Sequence, residues 1–157
     1  MLFNVLKLVH IASIIAWVGG MVFAHFALRP AVAVLEPAVR LRLMYDVLQR
    51  FFVIVSVAVI LALVSGFWMI GSTAAAVSMV GGRFAMPLSW TIMATLGIVM
   101  AAIFGHIRFA LFKRLRVAVT AMNWKAGGVA MASIRKWVAI NLGIGVVIVV
   151  VACLGAV

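Results

Sequence analysis

Four long apolar runs constrain what this chain can fold into. They cover about residues 2–28, 51–71, 87–112 and 137–157. At 1.5 Å of helical rise per residue, each run is long enough to cross a hydrocarbon core of ~30 Å. The runs lack the period-two alternation of barrel strands, and backbone in lipid must satisfy its own hydrogen bonds. We therefore predict an all-α, polytopic membrane four-helix bundle that forms one domain over residues 1–157.

The composition excludes the soluble classes of protein. Hydrophobic residues make up 69% of the 157 positions and charged residues 10%, whereas soluble domains are roughly half apolar and a quarter charged. The first run is longer than the ~7–15-residue core of a signal peptide, so it is expected to be a retained helix. Cys153 is the single cysteine, which excludes an internal disulfide and disfavours a thiolate metal cluster.

The distribution of basic residues predicts the orientation of the bundle. The formal net charge is +11, and ten of the thirteen lysines and arginines lie in or beside the first and third connections. Because basic loops stay in the cytoplasm, both termini are expected outside, in a bacterial inner membrane. Attraction to anionic lipid headgroups accounts for the charge, and no nucleic-acid partner is expected. The ten residues are Arg29, Arg40, Arg42, Arg50, Lys113, Arg114, Arg116, Lys125, Arg135 and Lys136.

Two local patterns refine this organisation. The stretch 37–50 places Leu41, Met44 and Leu48 on one face, so we expect it to lie along the membrane interface. The glycine pair 127–128 is expected to break the last inner connection before the fourth helix. Small residues recur every fourth position, which favours close helix packing and leaves a homodimer open. They are Ala12, Ala16, Gly20 and Ala24; Ala58, Ala62 and Gly66; and Gly97, Ala101 and Gly105.

Three histidines lie inside these apolar runs, where an ionisable side chain is costly without an interior partner. His10 falls in the outer third of the first helix. His25 and His106 fall in the inner halves of the first and third helices at similar depth, and Asn141 lies near that level. His10 and His106 differ in depth by about 18 Å and look too far apart to ligate one atom.

The inner pair suggests one kind of cofactor. Two imidazoles at one level on different helices suit a six-coordinate b-type haem, with Arg29 and Arg108 pairing with its propionates. Trp17, on the histidine side of the first helix, would either stack on such a flat group or pack in the core. Alternatively, His25 and His106 hydrogen-bond to backbone carbonyls or headgroups.

The outer histidine suggests a different ligand. Near His10 we expect Met69 of the second helix and Thr91 or Thr95 of the third, a set that suits copper or a second haem. A histidine satisfied by a threonine or a carbonyl is the alternative. A methionine also recurs every seventh residue, at Met79, Met86, Met93 and Met100. Successive members lie ~10 Å apart, too far to share one ion, so packing is the favoured role.

Several motifs resemble the CopD-like membrane protein superfamily. The first helix carries Lys7-Leu-Val-His10-Ile-Ala-Ser-Ile-Ile-Ala-Trp17-Val-Gly19-Gly20. Further similar features are Arg29-Pro30, Leu-Gln-Arg50-Phe-Phe, Ser65-Gly66, Gly105-His106-Ile-Arg108-Phe109, Ile134-Arg135 and Asn141. The resemblance implies either copper handling, as in copper-tolerance members, or haem, as in HemJ-type protoporphyrinogen oxidases. It emphasises His10 and His106, with Arg135 and Asn141 matching the HemJ-type fourth helix.

This sequence departs from the HemJ-type pattern in two places. Leu142 stands where those enzymes have an acidic residue, and no lysine precedes His106 in the third helix. Porphyrinogen oxidation is therefore disfavoured, and no catalytic residue is assigned.

Three functional hypotheses follow. The first is a b-type haem protein that handles electrons through His25 and His106, with an unassigned electron partner. The second is copper transport or tolerance across the inner membrane, using His10, Met69 and helix-three methionines. The third is a non-catalytic structural subunit. Metal ligation is thus assigned to His10, His25, His106 and Met69, and cofactor contact also to Arg29, Arg108, Trp17 and Asn141.

Overall fold

Four long helices make up the computed structural model, which describes residues 1–155. They are α1 (Leu2–Val34), α2 (Pro37–Met79), α3 (Leu88–Thr120) and α4 (Trp124–Leu154), and each is long and apolar enough to cross a membrane. Residues 1–155 contain no β-strand. The predicted all-α membrane fold is confirmed, and the predicted end of the fourth helix at residue 157 lies outside the described residues.

The helices continue beyond the apolar runs, mainly at the end of the bundle that carries the basic connections, which we call the inner end; α2 also extends eight residues beyond its run at the other end. α2 has 43 residues, about 65 Å of helix, and Pro37 occupies its first turn, where a missing N–H costs nothing. The stretch 37–50 is therefore the start of α2, and the expectation that it lies along the membrane interface is wrong. Its apolar residues Leu41, Met44 and Leu48 are buried, because neighbouring helices cover this face.

α4 also begins earlier than the sequence suggests. The Asn123 side chain accepts a hydrogen bond of 3.0 Å from the Ala126 N–H and caps the new helix. The pair 127–128 does not break this helix. A Cβ at Gly127 would lie 3.2 Å from Leu41 Cδ1, so this glycine lets α4 approach α2 closely.

The four helices pack as two extensive pairs, α1 with α2 and α3 with α4, and α4 also contacts α1 and α2. A chain of aromatic rings fills the space between the pairs. Trp17 meets Phe104 edge-on at 6.2 Å between centroids, Phe104 meets Phe52 at 5.8 Å, and Phe52 meets Phe112 at 5.1 Å. Tyr45 stacks on Phe112 at 5.3 Å. The packing of these rings holds α1, α2 and α3 together in the inner half of the bundle.

The small-residue faces have different roles on different helices. On α2, Ala58 and Ala62 are buried, as close packing predicts. On α1, Ala12 and Ala16 are exposed and the opposite side, with Trp17, is buried. The larger side chains of that side make more van der Waals contacts with the bundle. Dimerisation through an exposed face stays a prediction.

Two π-helical turns interrupt the inner halves of α1 and α3. One covers Ala24–Leu28 and includes His25; the other covers Ile107–Leu111, includes Arg108, and directly follows His106. Such turns are rare and often occur at functional sites, because they change the direction of neighbouring side chains. The inner ends of α1 and α3 are therefore candidate positions for a functional site.

Candidate functional site

His10 is held against α2 in a single orientation. Its Nδ1 lies 2.9 Å from the Ala62 carbonyl oxygen and 3.2 Å from Ser65 Oγ. A carbonyl oxygen only accepts, so Nδ1 carries the proton and donates it. In the neutral ring, Nε2 then keeps its lone pair. Metal-binding histidines are commonly oriented in this way, through a hydrogen bond from the other ring nitrogen to a carbonyl.

Space for the imidazole comes from Gly66. A Cβ at this position would lie 3.1 Å from His10 Cε1, which is closer than most real contacts. Met69 lies four residues after Ser65 on the same face of α2, one turn further outward, and is half-buried. The outer histidine thus has a potential soft neighbour on the helix that positions it.

The threonines expected beside His10 do not partner it. Thr91 is exposed and donates to the Pro87 carbonyl, and Thr95 is exposed as well. The physical reason is that α1 packs along α2, which supplies both hydrogen-bond partners of the imidazole.

The middle of the bundle contains a buried amide. Asn141 is 1% exposed, and its Nδ2 donates to Met21 Sδ at 3.8 Å. Its Oδ1 is buried and has no hydrogen-bond partner within residues 1–155. One turn further along α4, a Cβ at Gly145 would lie 3.3 Å from Met100 Cε. Two buried thioethers and an unsatisfied amide oxygen therefore occupy the interior near α4.

The inner end of the bundle holds a cavity of about 230 Å³ between α1, α2 and α4. His25 lines it, together with Met44 and Met131. Met44 belongs to the apolar face identified in the sequence, whereas Met131 was missed, because its position in a supposed connection gave no signal.

His106 lies elsewhere. It is exposed, and its ring packs edge-on against Trp137 at 5.4 Å. It does not line the cavity that contains His25 and Arg29, and the Arg108 guanidinium lies over the Phe112 ring at 5.5 Å. The structure thus does not bring the two inner histidines to one cavity.

These positions do not fit a haem held between His25 and His106. The cavity beside His25 is smaller than the ~300–1,000 Å³ typical of sites for drug-sized ligands. Trp17, the expected stacking partner, is 2% exposed and packs edge-on against Phe104 in the core. No chemical step through haem is derived from this arrangement.

The donor set limits which metal the bundle could contact. Within residues 1–155, no three His, Cys, Asp or Glu side chains come together in a way that could hold a metal ion. Contacts would rely on single imidazoles, thioethers and the Asn141 amide. Thioether sulfur is a soft ligand that selects monovalent copper over harder ions.

Comparison with known families agrees with this chemistry. The family model for Copper resistance protein D matches residues 45–154, which are 110 of the 157 residues. The chain belongs to the copper resistance protein D family. No curated protein and no solved structure matches it.

Membership confirms the predicted family and indicates a multi-pass membrane protein related to copper resistance. The matched range includes Met69, His106 and Asn141 and leaves out α1, which carries His10 and His25. The roles of those two histidines therefore rest on their geometry. The similarity to HemJ-type oxidases stays a prediction.

Proposed function

We propose that this protein carries monovalent copper across a bacterial inner membrane from the outer face to the cytoplasmic face. The observation that carries the proposal is the orientation of His10. Its protonated Nδ1 donates a hydrogen bond to the Ala62 carbonyl oxygen, so Nε2 of the neutral ring has a lone pair for an incoming ion. Met69 lies about one helical turn further outward on α2. Family membership supports copper as the ion.

Further donor groups lie inward from this outer position, most of them thioethers. Met21 lies eleven residues after His10 on α1, about 16 Å deeper, and Asn141 Nδ2 contacts its sulfur. Four residues beyond Met21 is His25, in the inner cavity. The donors at the three levels are His10 and Met69; Met21, Met100 and Asn141; and His25, Met44 and Met131.

The small number of donors at each level suits transport better than storage. Conduction requires sites that bind an ion favourably enough to admit it and weakly enough to release it. A level with one imidazole or two thioethers holds copper less firmly than a closed thiolate cluster. The absence of a three-residue His, Cys, Asp or Glu group in residues 1–155 is consistent with this role.

Copper uptake by proteoliposomes tests the proposal. Vesicles containing the protein and an internal copper(I) chelator are given copper with a reductant, and chelator absorbance is followed. We expect uptake above that of empty vesicles, and His10→Ala should lose most of it. His106→Ala is the matched control, because it removes an exposed imidazole outside the three levels, and it should retain uptake.

Two results would overturn the proposal. One is equal uptake by the wild type and by His10→Ala. The other is a purified protein with sharp reduced-minus-oxidised haem bands that disappear in His25→Ala or His106→Ala, because that result would assign the histidines to haem.

A further inference from the structure

Three arginines from three helices converge on the inner cavity. Arg29 of α1, Arg40 of α2 and Arg135 of α4 all line it, so three positive charges surround one cavity. Neither Glu36 nor Asp46, the two acidic residues of the chain, lines this cavity. We call this set of three guanidinium groups and their cavity the arginine pocket.

Such an arrangement is electrostatically unfavourable without a counter-charge. Much of the remaining wall is apolar, including Leu41, Leu48 and Ile134, and supplies no counter-charge to the three guanidinium groups. The Arg40 guanidinium makes one long hydrogen bond, 3.3 Å to the Ala33 carbonyl. Most of the fifteen or so N–H donors of three guanidinium groups therefore remain for a ligand.

The arginine pocket differs from the other basic residues on the inner side. The positive-inside rule requires only positive charge near the inner ends of the helices, not its convergence. Arg50, Lys113 and Arg116 satisfy that rule as exposed side chains that do not line the cavity. Convergence on one cavity thus needs a separate explanation.

We propose that the arginine pocket binds a phosphate group, presented either by an anionic lipid headgroup or as free phosphate. Guanidinium forks match the oxygens of phosphate in paired hydrogen bonds. Arg29 and Arg135 lie at the inner ends of the first and last apolar runs, at the expected depth of lipid headgroups. Both are exposed, so the site is accessible from the membrane surface or the cytoplasm. This proposal does not rest on copper transport, but the pocket also contains the innermost copper donors, and a bound phosphate would offset the repulsion between the three arginines and the ion.

The decisive experiment compares two triple variants with the same loss of charge. Arg29→Gln/Arg40→Gln/Arg135→Gln removes the arginine pocket, and Arg50→Gln/Lys113→Gln/Arg116→Gln removes three exposed charges. Phosphatidylglycerol retained by detergent-purified protein is counted by native mass spectrometry, and inorganic phosphate binding is measured by equilibrium dialysis. The wild type should bind at least one of these probes at one site.

We expect the arginine-pocket variant to bind that probe at least tenfold more weakly, since the loss of a single charged hydrogen-bonding group costs roughly that factor and the variant lacks three. The control variant should stay close to wild type. Retention of phosphatidylglycerol alone assigns a headgroup site, and binding of phosphate in dialysis assigns a soluble ligand. Equal losses in both triple variants, or no binding of either probe by the wild type, would refute the proposal.

The single variant Arg40→Lys covers the case in which the triple variant does not fold. Lysine keeps the charge but lacks the planar fork, so phosphate binding should weaken although the net charge is unchanged. Unaltered binding by a folded Arg40→Lys protein would count against paired recognition of phosphate by this residue.

Discussion

Replacing Asn141 with leucine should stabilise the protein while impairing copper transport. The side chain is almost completely buried, and its Oδ1 has no hydrogen-bond partner within residues 1–155. Leucine has the same branching at Cγ and no polar atom to satisfy. The change therefore removes an unfavourable buried acceptor from the middle of the bundle, together with a donor that we assign to the copper path.

The magnitude follows from two opposing contributions. A buried unsatisfied acceptor costs about 1–3 kcal/mol. The lost contact from Nδ2 to Met21 Sδ is long, at 3.8 Å, and sulfur is a weak acceptor, so we assign it the ~0.6 kcal/mol average of polar contacts between membrane helices. The net gain is roughly 0.5–2.5 kcal/mol, or about 1–10 °C in Tm for a chain of this size.

Thermal unfolding in detergent, followed by circular dichroism, measures the effect, and the proteoliposome assay measures transport by the same preparation. Asn141→Ala is the matched control, because it also removes the amide but leaves a cavity, and should unfold at a lower temperature than Asn141→Leu. A Tm for Asn141→Leu several degrees below that of the wild type would refute the reasoning, since it would mean that Oδ1 is satisfied in the membrane protein.

Three further predictions concern packing, the outer histidine and a helix cap. Phe52→Ala should lower the unfolding free energy by about 3–5 kcal/mol, because Phe52 contacts both Phe104 and Phe112 in the core; a Tm within 2–3 °C of wild type would contradict this. Gly66→Ala should weaken copper(I) binding about tenfold in a chelator competition by displacing His10, unlike Gly105→Ala. Asn123→Ala should cost about 1 kcal/mol of stability by removing the cap of α4, and an unchanged Tm would contradict it.

The glycine pair gives the second of these tests its control. A Cβ at Gly66 meets the imidazole, whereas a Cβ at Gly105 meets no atom within 4 Å. Both positions lie within helices, so the two variants share the same change in backbone propensity. Equal copper affinity in the two alanine variants would contradict the role given to His10.

The sequence predicted membrane helices well but located their inner ends poorly. Hydropathy marks where a helix enters lipid, and it carries no information on how far the same helix continues into water. The stretch 37–50 has a clear apolar face, which suits either a lipid surface or a neighbouring helix equally well. The burial of Leu41, Met44 and Leu48, and the close approach of Gly127 to Leu41, show that protein covers this face.

The histidines of the candidate site also show which properties can be predicted from the sequence and which cannot. Depth along each helix is predicted by counting residues from the basic ends. Rotation does not follow from such counting, because it depends on how the helices pack against one another. His25 therefore lines the inner cavity, whereas His106, which was predicted to lie at the same depth, does not.

The sequence by itself determined that this chain is an all-α membrane protein with four helices, two basic connections and a copper-resistance family resemblance. These properties depend on composition and on the order of apolar and basic residues along the chain, and both are visible in the sequence. The tertiary structure decided which side chains meet: the fixed orientation of His10, the unsatisfied amide of Asn141 and the convergence of three arginines. Those features depend on contacts between residues far apart in sequence, and such contacts are set by how the helices pack.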